Sequence, residues 1–179
     1  AKGMYTLMVD IIKYLPSPDK KECSGINAKT NEVYPANYDF SKPKSAYVFK
    51  TMVDPFVGKY SFIKVNSGVI KTDDTLFNHH KDVEEKAGKL YVLRGSKAEE
   101  VPELHAGDIG ALSKLNKVTT TDSLSTKANP IVYIRTAIST PYTYMRYKVM
   151  KKGEEDKAAQ ALSKIMQEDL TIKTENDPA

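Results

Sequence analysis

AYVFKTMVDPFVGKYSFIKVNSG, residues 46–68, is the stretch on which the fold turns. Its side chains alternate with a period of two over Tyr47, Phe49 and Thr51, stop at Asp54-Pro55, and resume from Val57 to Val65. Asn66-Ser67-Gly68 then supplies turn chemistry. Such a pattern predicts two strands joined by a Pro-containing corner.

The residues that follow keep this character. Thr75-Leu76-Phe77-Asn78 reads as a strand, and residues 81–86 read as a charged hairpin tip. Residues 89–94 make another strand, with Leu90, Val92 and Arg94 on one side, Tyr91 and Leu93 on the other, and Gly95 closing it. Residues 101–104 are a short strand, Ala106-Gly107-Asp108 a turn, and residues 109–115 a last apolar strand. Short strands separated by Gly and Asp turns predict a closed barrel of about six strands, because closure removes exposed sheet edges.

Upstream, Met4, Leu7, Met8, Ile11 and Ile12 fall on one helical face, and Pro16 and Pro18 end the helix. That face has no evident partner in the residues that follow. Residues 17–44 are polar and read as a connector with at most short structure, disordered or wrapped around the barrel. Downstream, Thr119-Thr120-Thr121-Asp122-Ser123 is a polar break and Pro130 opens a new unit. It reads as a strand over 131–137, a helix over 154–169 with an Ala158, Ala161, Leu162, Ile165 stripe, and a strand over 170–173. Glu154, Glu155 and Asp156 suit the helix start. A β-α-β run is half of a ferredoxin-like unit. The expected class is thus mainly β with α+β. The divisions are 1–44 (helix and connector), 45–125 (barrel) and 129–179 (partial ferredoxin-like unit).

The 179 residues are 40% hydrophobic, enough for a packed core. Lys and Arg number 27 against 23 Asp and Glu, a net charge of +4 that permits a polyanionic partner without arguing for one. The single Cys23 rules out an intramolecular disulfide, fits a reducing cytoplasm, and has no activating partner in its local sequence. No signal peptide is visible, and residues 4–15 carry Asp10 and Lys13 and fall short of the roughly 20 residues that span a bilayer. A soluble, cytoplasmic protein with neither membrane nor DNA as partner is expected.

Catalytic motifs are absent. Gly58-Lys59 lacks the earlier Gly, the following Ser/Thr and the following helix of a phosphate loop. His79-His80 would point to opposite faces of a strand, and His105 stands alone, which is poor material for a metal site. No catalytic, cofactor or metal residue is expected. Basic residues do interleave with aromatics, and a basic face with aromatic neighbours suits RNA. Lys50, Lys59, Lys64, Arg94 and Lys97 are the candidates for RNA contact. Tyr142, Tyr144, Arg146, Tyr147 and Lys148 form a second patch, read either as another such surface or as packing surface. Tyr142, Tyr144 and Arg146 are the candidates for interdomain contact.

Five stretches, in order, resemble the elongation factor G family. Ile12-Lys13-Tyr14-Leu15-Pro16-Ser17-Pro18 resembles the DYLPSP that ends its GTPase domain. Val53-Asp54-Pro55-Phe56-Val57-Gly58-Lys59 resembles the start of its second domain, and Ala106-Gly107-Asp108-Ile109 an AGDI strand of that barrel. Thr119-Thr120-Thr121-Asp122-Ser123-Leu124 resembles the closing TTTGDTL without its Gly. Residues 130–137 and 157–172 resemble the first strand, first helix and second strand of the third domain.

The resemblance implies a fragment of a GTPase that binds the ribosome and drives translocation of tRNA and mRNA. GTP and Mg would belong to a GTPase domain upstream of Ala1. Small-subunit ribosomal RNA and protein would be the partners, and this piece would dock and couple rather than hydrolyse. The polar connector and Ser139-Thr140-Pro141-Tyr142-Thr143-Tyr144 depart from the pattern. A paralogue or a ribosomal protection (tetracycline resistance) relative therefore stays open. So does a stand-alone β-barrel module binding RNA or protein; a small enzyme has little support.

Overall fold

Alternation and β-branching put the middle of the chain into strands, seen in a computed structural model that describes residues 2–54, 58–95, 97–151 and 153–175. In chain order the elements are α1 (Met4–Tyr14), β1 (Ser24–Asn27), β2 (Val33–Pro35), β3 (Ser45–Asp54), β4 (Gly58–Ser67), β5 (Val69–Lys71) and β6 (Thr75–Asn78). There follow β7 (Val83–Lys86), β8 (Leu90–Arg94), β9 (Lys97–Val101), β10 (Glu103–His105), β11 (Ile109–Ser113), β12 (Ser123–Ser125), β13 (Ile131–Val132) and α2 (Glu155–Glu168). The expected Pro55 corner between β3 and β4 lies outside the described residues.

One antiparallel sheet of eight strands, in the order β7-β6-β12-β3-β4-β11-β8-β9, carries the fold. It curls round a core of Val48, Ile63, Val65, Ile70, Leu76, Leu90, Leu104, Leu112, Leu115 and Leu124. The curl is fastened where the chain leaves β7. The Ala87 N–H donates to the Asp74 carbonyl at 2.8 Å, and the Gly88 N–H to the Ser113 carbonyl at 3.1 Å. Glu85 of β7 accepts the Asn116 N–H at 2.9 Å, just beyond β11. The barrel-like closure thus runs through loop and side-chain hydrogen bonds, which satisfy groups that an open edge would leave bare.

Several strands escape the period-two reading, among them β5, which was not expected, and β12, which begins in the stretch read as a polar break. β7 (VEEK) stands where a hairpin tip was expected, and the turn lies instead at His79–Lys81; β9 (KAEEV) was not expected at all. Both are edge strands of the eight-stranded sheet, charged because an edge must resist pairing with another chain. Their lack of apolar alternation is what hides them.

β3 holds a second departure. Val48 opposes Ile63 and Lys50 opposes Phe62, so Phe49 is the extra residue of a bulge. The bulge resets the phase: Thr51 turns inward and is buried, while Tyr47 and Lys50 share the outer face. The simple grouping of Tyr47, Phe49 and Thr51 on one side does not hold.

The connector forms more than a wrap. β1 pairs with β2 and with β13, making a small antiparallel sheet over Ala36, Ile131 and Tyr133. The expected strand over 131–137 stops at Val132, beyond which the Tyr133 N–H donates to Ser123 Oγ. Residues 170–173 form no strand, since no strand among the described residues lies beside them. Of the β-α-β expectation the helix stands, as α2. It lies against β3, where the Glu168 carboxylate accepts the Val53 N–H at 2.5 Å. Helix α1 forms as expected and keeps its apolar face exposed.

Gly68 closes the turn after β4 with φ +69°, and a Cβ there would sit 2.6 Å from the Lys44 Cα. Gly95 also has positive φ, but open space around it. Gly68→Ala is expected to cost about 2–5 kcal/mol, from left-handed strain plus overpacking against backbone. Gly95→Ala should cost only about 1–2 kcal/mol. Urea unfolding of the two variants measures the difference, and equal losses would refute the close-approach account.

Candidate nucleic-acid interface

The strand period places the candidate residues. In β4, Ser61, Ile63 and Val65 point to the core, so Tyr60, Phe62 and Lys64 lie on the other face, where Tyr60 is covered and Phe62 and Lys64 are partly exposed. Register then lines up the outer faces of neighbouring strands. Lys50 opposes Phe62, and Lys64 opposes both Tyr47 and Ile109. The rings form a continuous row: Phe49 to Phe62 at 6.3 Å, Phe62 to Tyr60 at 6.5 Å, and Tyr60 edge-on to Tyr91 at 5.3 Å. Such tilted and edge-to-face contacts are favourable for aromatic quadrupoles. The Lys64 ammonium lies 4.6 Å from the centre of the Tyr38 ring. Lys50 and Lys64 thus flank an aromatic row on the outside of the barrel.

The other candidates sit elsewhere. Lys59 is half-buried at the start of β4, and its ammonium donates to the Asn116 carbonyl at 3.2 Å and to that of Val118. Burial, reinforced by the charge of Lys81, holds its pKa below the usual lysine value. Arg94 and Lys97 face each other at the tip of the β8–β9 hairpin, two strands from β4. Their charge there is partly balanced, since Glu99 stands 3.8 Å from Arg94 and Glu100 takes Lys89 at 2.7 Å. Tyr142, Tyr144 and Arg146 lie in a stretch without helix or strand and are exposed. The structure therefore brings Lys50 and Lys64 together, pairs Arg94 with Lys97 at a separate hairpin tip, and leaves the remaining candidates apart from both. His79 and His80 lie on a 3₁₀ turn rather than a strand, and among the described residues no group of acids, His and Cys could hold a metal ion. The Cys23 thiol is pushed up by burial, which leaves it less reactive.

Sequence reading missed a densely connected polar group. Asp122 is fully buried where the Thr119–Asp122 turn closes the barrel. Its Oδ2 accepts from Asn78 at 2.7 Å and from the Thr119 N–H at 2.9 Å, and it meets the Lys81 ammonium at 2.8 Å. Its Oδ1 takes Arg135 at 2.8 Å. Its own carbonyl accepts the Val48 N–H at 2.9 Å, tying β12 to β3. Burial pushes this carboxyl up, but the hydrogen bonds from Lys81, Thr119 and Asn78 and the Lys81 charge outweigh it and hold the pKa below the usual carboxylate value. The available signal was one acid inside a Thr/Ser run beside a strand: short hydroxyls there supply partners, and a lone acid needs cations.

Arg135 belongs to a segment fixed to the barrel through hydroxyls. The Ile131 and Tyr133 N–H groups donate to Ser125 Oγ at 3.1 Å and Ser123 Oγ at 2.9 Å. The Tyr133 hydroxyl meets Ser45 at 2.6 Å, and the Tyr47 hydroxyl accepts the Thr136 N–H at 3.1 Å.

Residues 43–128 match the family model described as elongation factor G domain 2. Over those residues the chain is similar to the second domain of the elongation factor G family. The match spans β3 to β12, so Lys50, Lys64 and the aromatic row lie within it. Asp122, Lys81, Asn78 and Thr119 are internal to the matched domain, while Arg135 reaches in from outside. A solved structure of a Thermus thermophilus protein is similar over 98% of this chain, with a TM-score of 0.70 and 24% identity, a likeness of fold. The chain covers 24% of that protein's length. No described helix is long and apolar enough to cross a membrane.

The folded Asp122 pKa is depressed, so the stability it contributes is complete above the ordinary value of 3.8 and is lost as pH falls through the lower folded value. Asp122→Ala is expected to lose about 3 kcal/mol at neutral pH, the low end for breaking a buried pair, since Lys81 and Arg135 reach solvent. Below that range the variant and the parent should converge. Denaturant unfolding across acid pH checks this; a gap independent of pH would rule out the ionised carboxylate as its source.

Proposed function

We propose that the chain is the docking and coupling part of an elongation factor G-like translational GTPase, working on ribosomes in the cytoplasm. The observation that carries this reading is the aromatic row flanked by Lys50 and Lys64 on the outside of the matched domain. Ammonium groups beside a ring row in which Phe49 is exposed and Phe62 and Tyr91 are partly so suit phosphates and unstacked bases of ribosomal RNA. The family match supports a translation factor, and the small ribosomal subunit, its RNA and protein, is the proposed partner. GTP and Mg act in a separate GTPase domain of the whole protein, whose cycle drives translocation of tRNA and mRNA. The barrel contributes a stiff body that carries a switch made elsewhere, helped by the Asp122 hub that ties the segment after it in place.

The full-length gene product is the material for the test. Its GTP hydrolysis should rise strongly with ribosomes, while the 179-residue chain alone shows none. Lys50→Gln with Lys64→Gln should weaken ribosome binding and lower the log–log salt slope by about 2, one for each phosphate that is no longer neutralised. Absence of ribosome stimulation in the full-length protein would defeat the proposal.

A further inference from the structure

Asp122 and Glu154 bracket a tract with no acidic residue, although the chain holds 23 Asp and Glu in all. Within it stand Lys127, Arg135, Arg146, Lys148, Lys151 and Lys152. Its second half reads PYTYMRYKVMK, residues 141–151, and among the described residues neither helix nor strand forms from residue 133 to α2. A solvated loop ordinarily draws on Gly, Asn, Asp and Ser. This one presents tyrosines instead, with Tyr142 89% exposed, Tyr144 87% and Tyr147 58%.

The cations beside them differ from many of those on the barrel, Lys50 and Lys64 apart. Lys71, Lys86, Lys89 and Arg94 each pair with an acid on the sheet or its turns. Among the described residues neither Lys148 nor Lys151 joins an ion pair, and the charge changes sign only at Glu154, where Lys157 pairs at 3.7 Å. Rings open to solvent and spaced along the chain, together with uncompensated ammonium groups, are the two ingredients of sequence-tolerant single-strand binding. A protein-docking surface would need neither an acid-free tract nor unpaired lysines.

We propose that residues 141–151 bind single-stranded nucleic acid independently of base sequence, with bases stacked on Tyr142, Tyr144 and Tyr147 and phosphates held by Lys148 and Lys151. The inference goes beyond the ribosome reading; only the choice of RNA as the strand met in the cell rests on it. Of the two readings that the sequence left open for this patch, the tyrosines then serve a ligand rather than interdomain packing.

The test is fluorescence anisotropy of the 179-residue chain with labelled uridine and thymidine oligomers of about 12 nucleotides, a length typical of single-strand sites. Tyr142→Ala and Tyr144→Ala should each weaken binding about fivefold or more, while Tyr→Phe at the same positions retains it, because stacking uses the ring face. Lys148→Gln with Lys151→Gln should lower the log–log salt slope by about 1.4. Heparin, which has charge but no bases, should bind the tyrosine variants as it binds the parent. Circular dichroism checks that the variants stay folded.

Absence of oligomer binding overturns the inference, as does binding indifferent to Tyr→Ala or binding abolished only in the Lys50→Gln, Lys64→Gln chain. Tyrosine-dependent binding to thymidine as well as uridine upholds it. So does tyrosine-dependent binding by a chain whose full-length parent ignores ribosomes, in which case the ribosome reading alone fails.

Discussion

A single buried carboxylate holds the closing turn of this fold together. Asp122 stands where β12, β3 and β6 converge, and each of its oxygens is engaged by partners from different parts of the chain. An ionised acid taken out of water is costly unless charge and hydrogen bonds replace the lost solvent. Here two cations, an amide and a backbone N–H do so. Lys81 is recruited from the turn after β6 and Arg135 from the segment beyond the barrel. The requirement to satisfy one acid therefore fixes the position of pieces far apart in sequence. Lys59 and Lys81 reinforce the arrangement by binding the carbonyls of the loop before it.

What lies on the outside follows from what is fixed within. Once Ile63 and Val65 are committed to the core, Phe62 and Lys64 have to face out, and register sets Lys50 and Ile109 beside them. The aromatic row is in this sense a by-product of the ladder, available for recognition. The hydroxyl contacts of Ser123, Ser125 and Tyr47 then carry the next segment along the barrel without a backbone ladder.

The sequence disclosed the elements that obey a hydrophobic period. β3, β4, β6, β8 and β11 stand where alternation placed them, and α1 and α2 where a helical stripe did. β7 and β9 did not declare themselves, because edge strands carry charge in place of alternation. β13 ended early because the next N–H, that of Tyr133, is taken by the Ser123 hydroxyl, a partner that no local pattern announces. Lys64 was legible as an outward cation from the same period, whereas Lys50 shares the outer face with Tyr47 only because the bulge at Phe49 resets the phase. Lys59 looked alike in sequence, yet its side chain turns back onto the chain, a difference set by the distant loop that holds Asn116 and Val118. Asp122 was hidden for the same reason: its cations come from distant positions, and no local pattern records a long-range ion pair.

The bulge in β3 bears on how this barrel can change over time. Because Val48 opposes Ile63 and Lys50 opposes the very next residue, Phe62, the strand would be in register with β4 even if position 49 were missing. A one-residue deletion at most places in a strand inverts every side chain beyond it. Here it would leave the core facing inward and remove a single ring from the outer surface. The chain length of β3 is therefore free to vary at this one point, so a lineage can redraw its recognition surface by insertion or deletion while its interior stays the same.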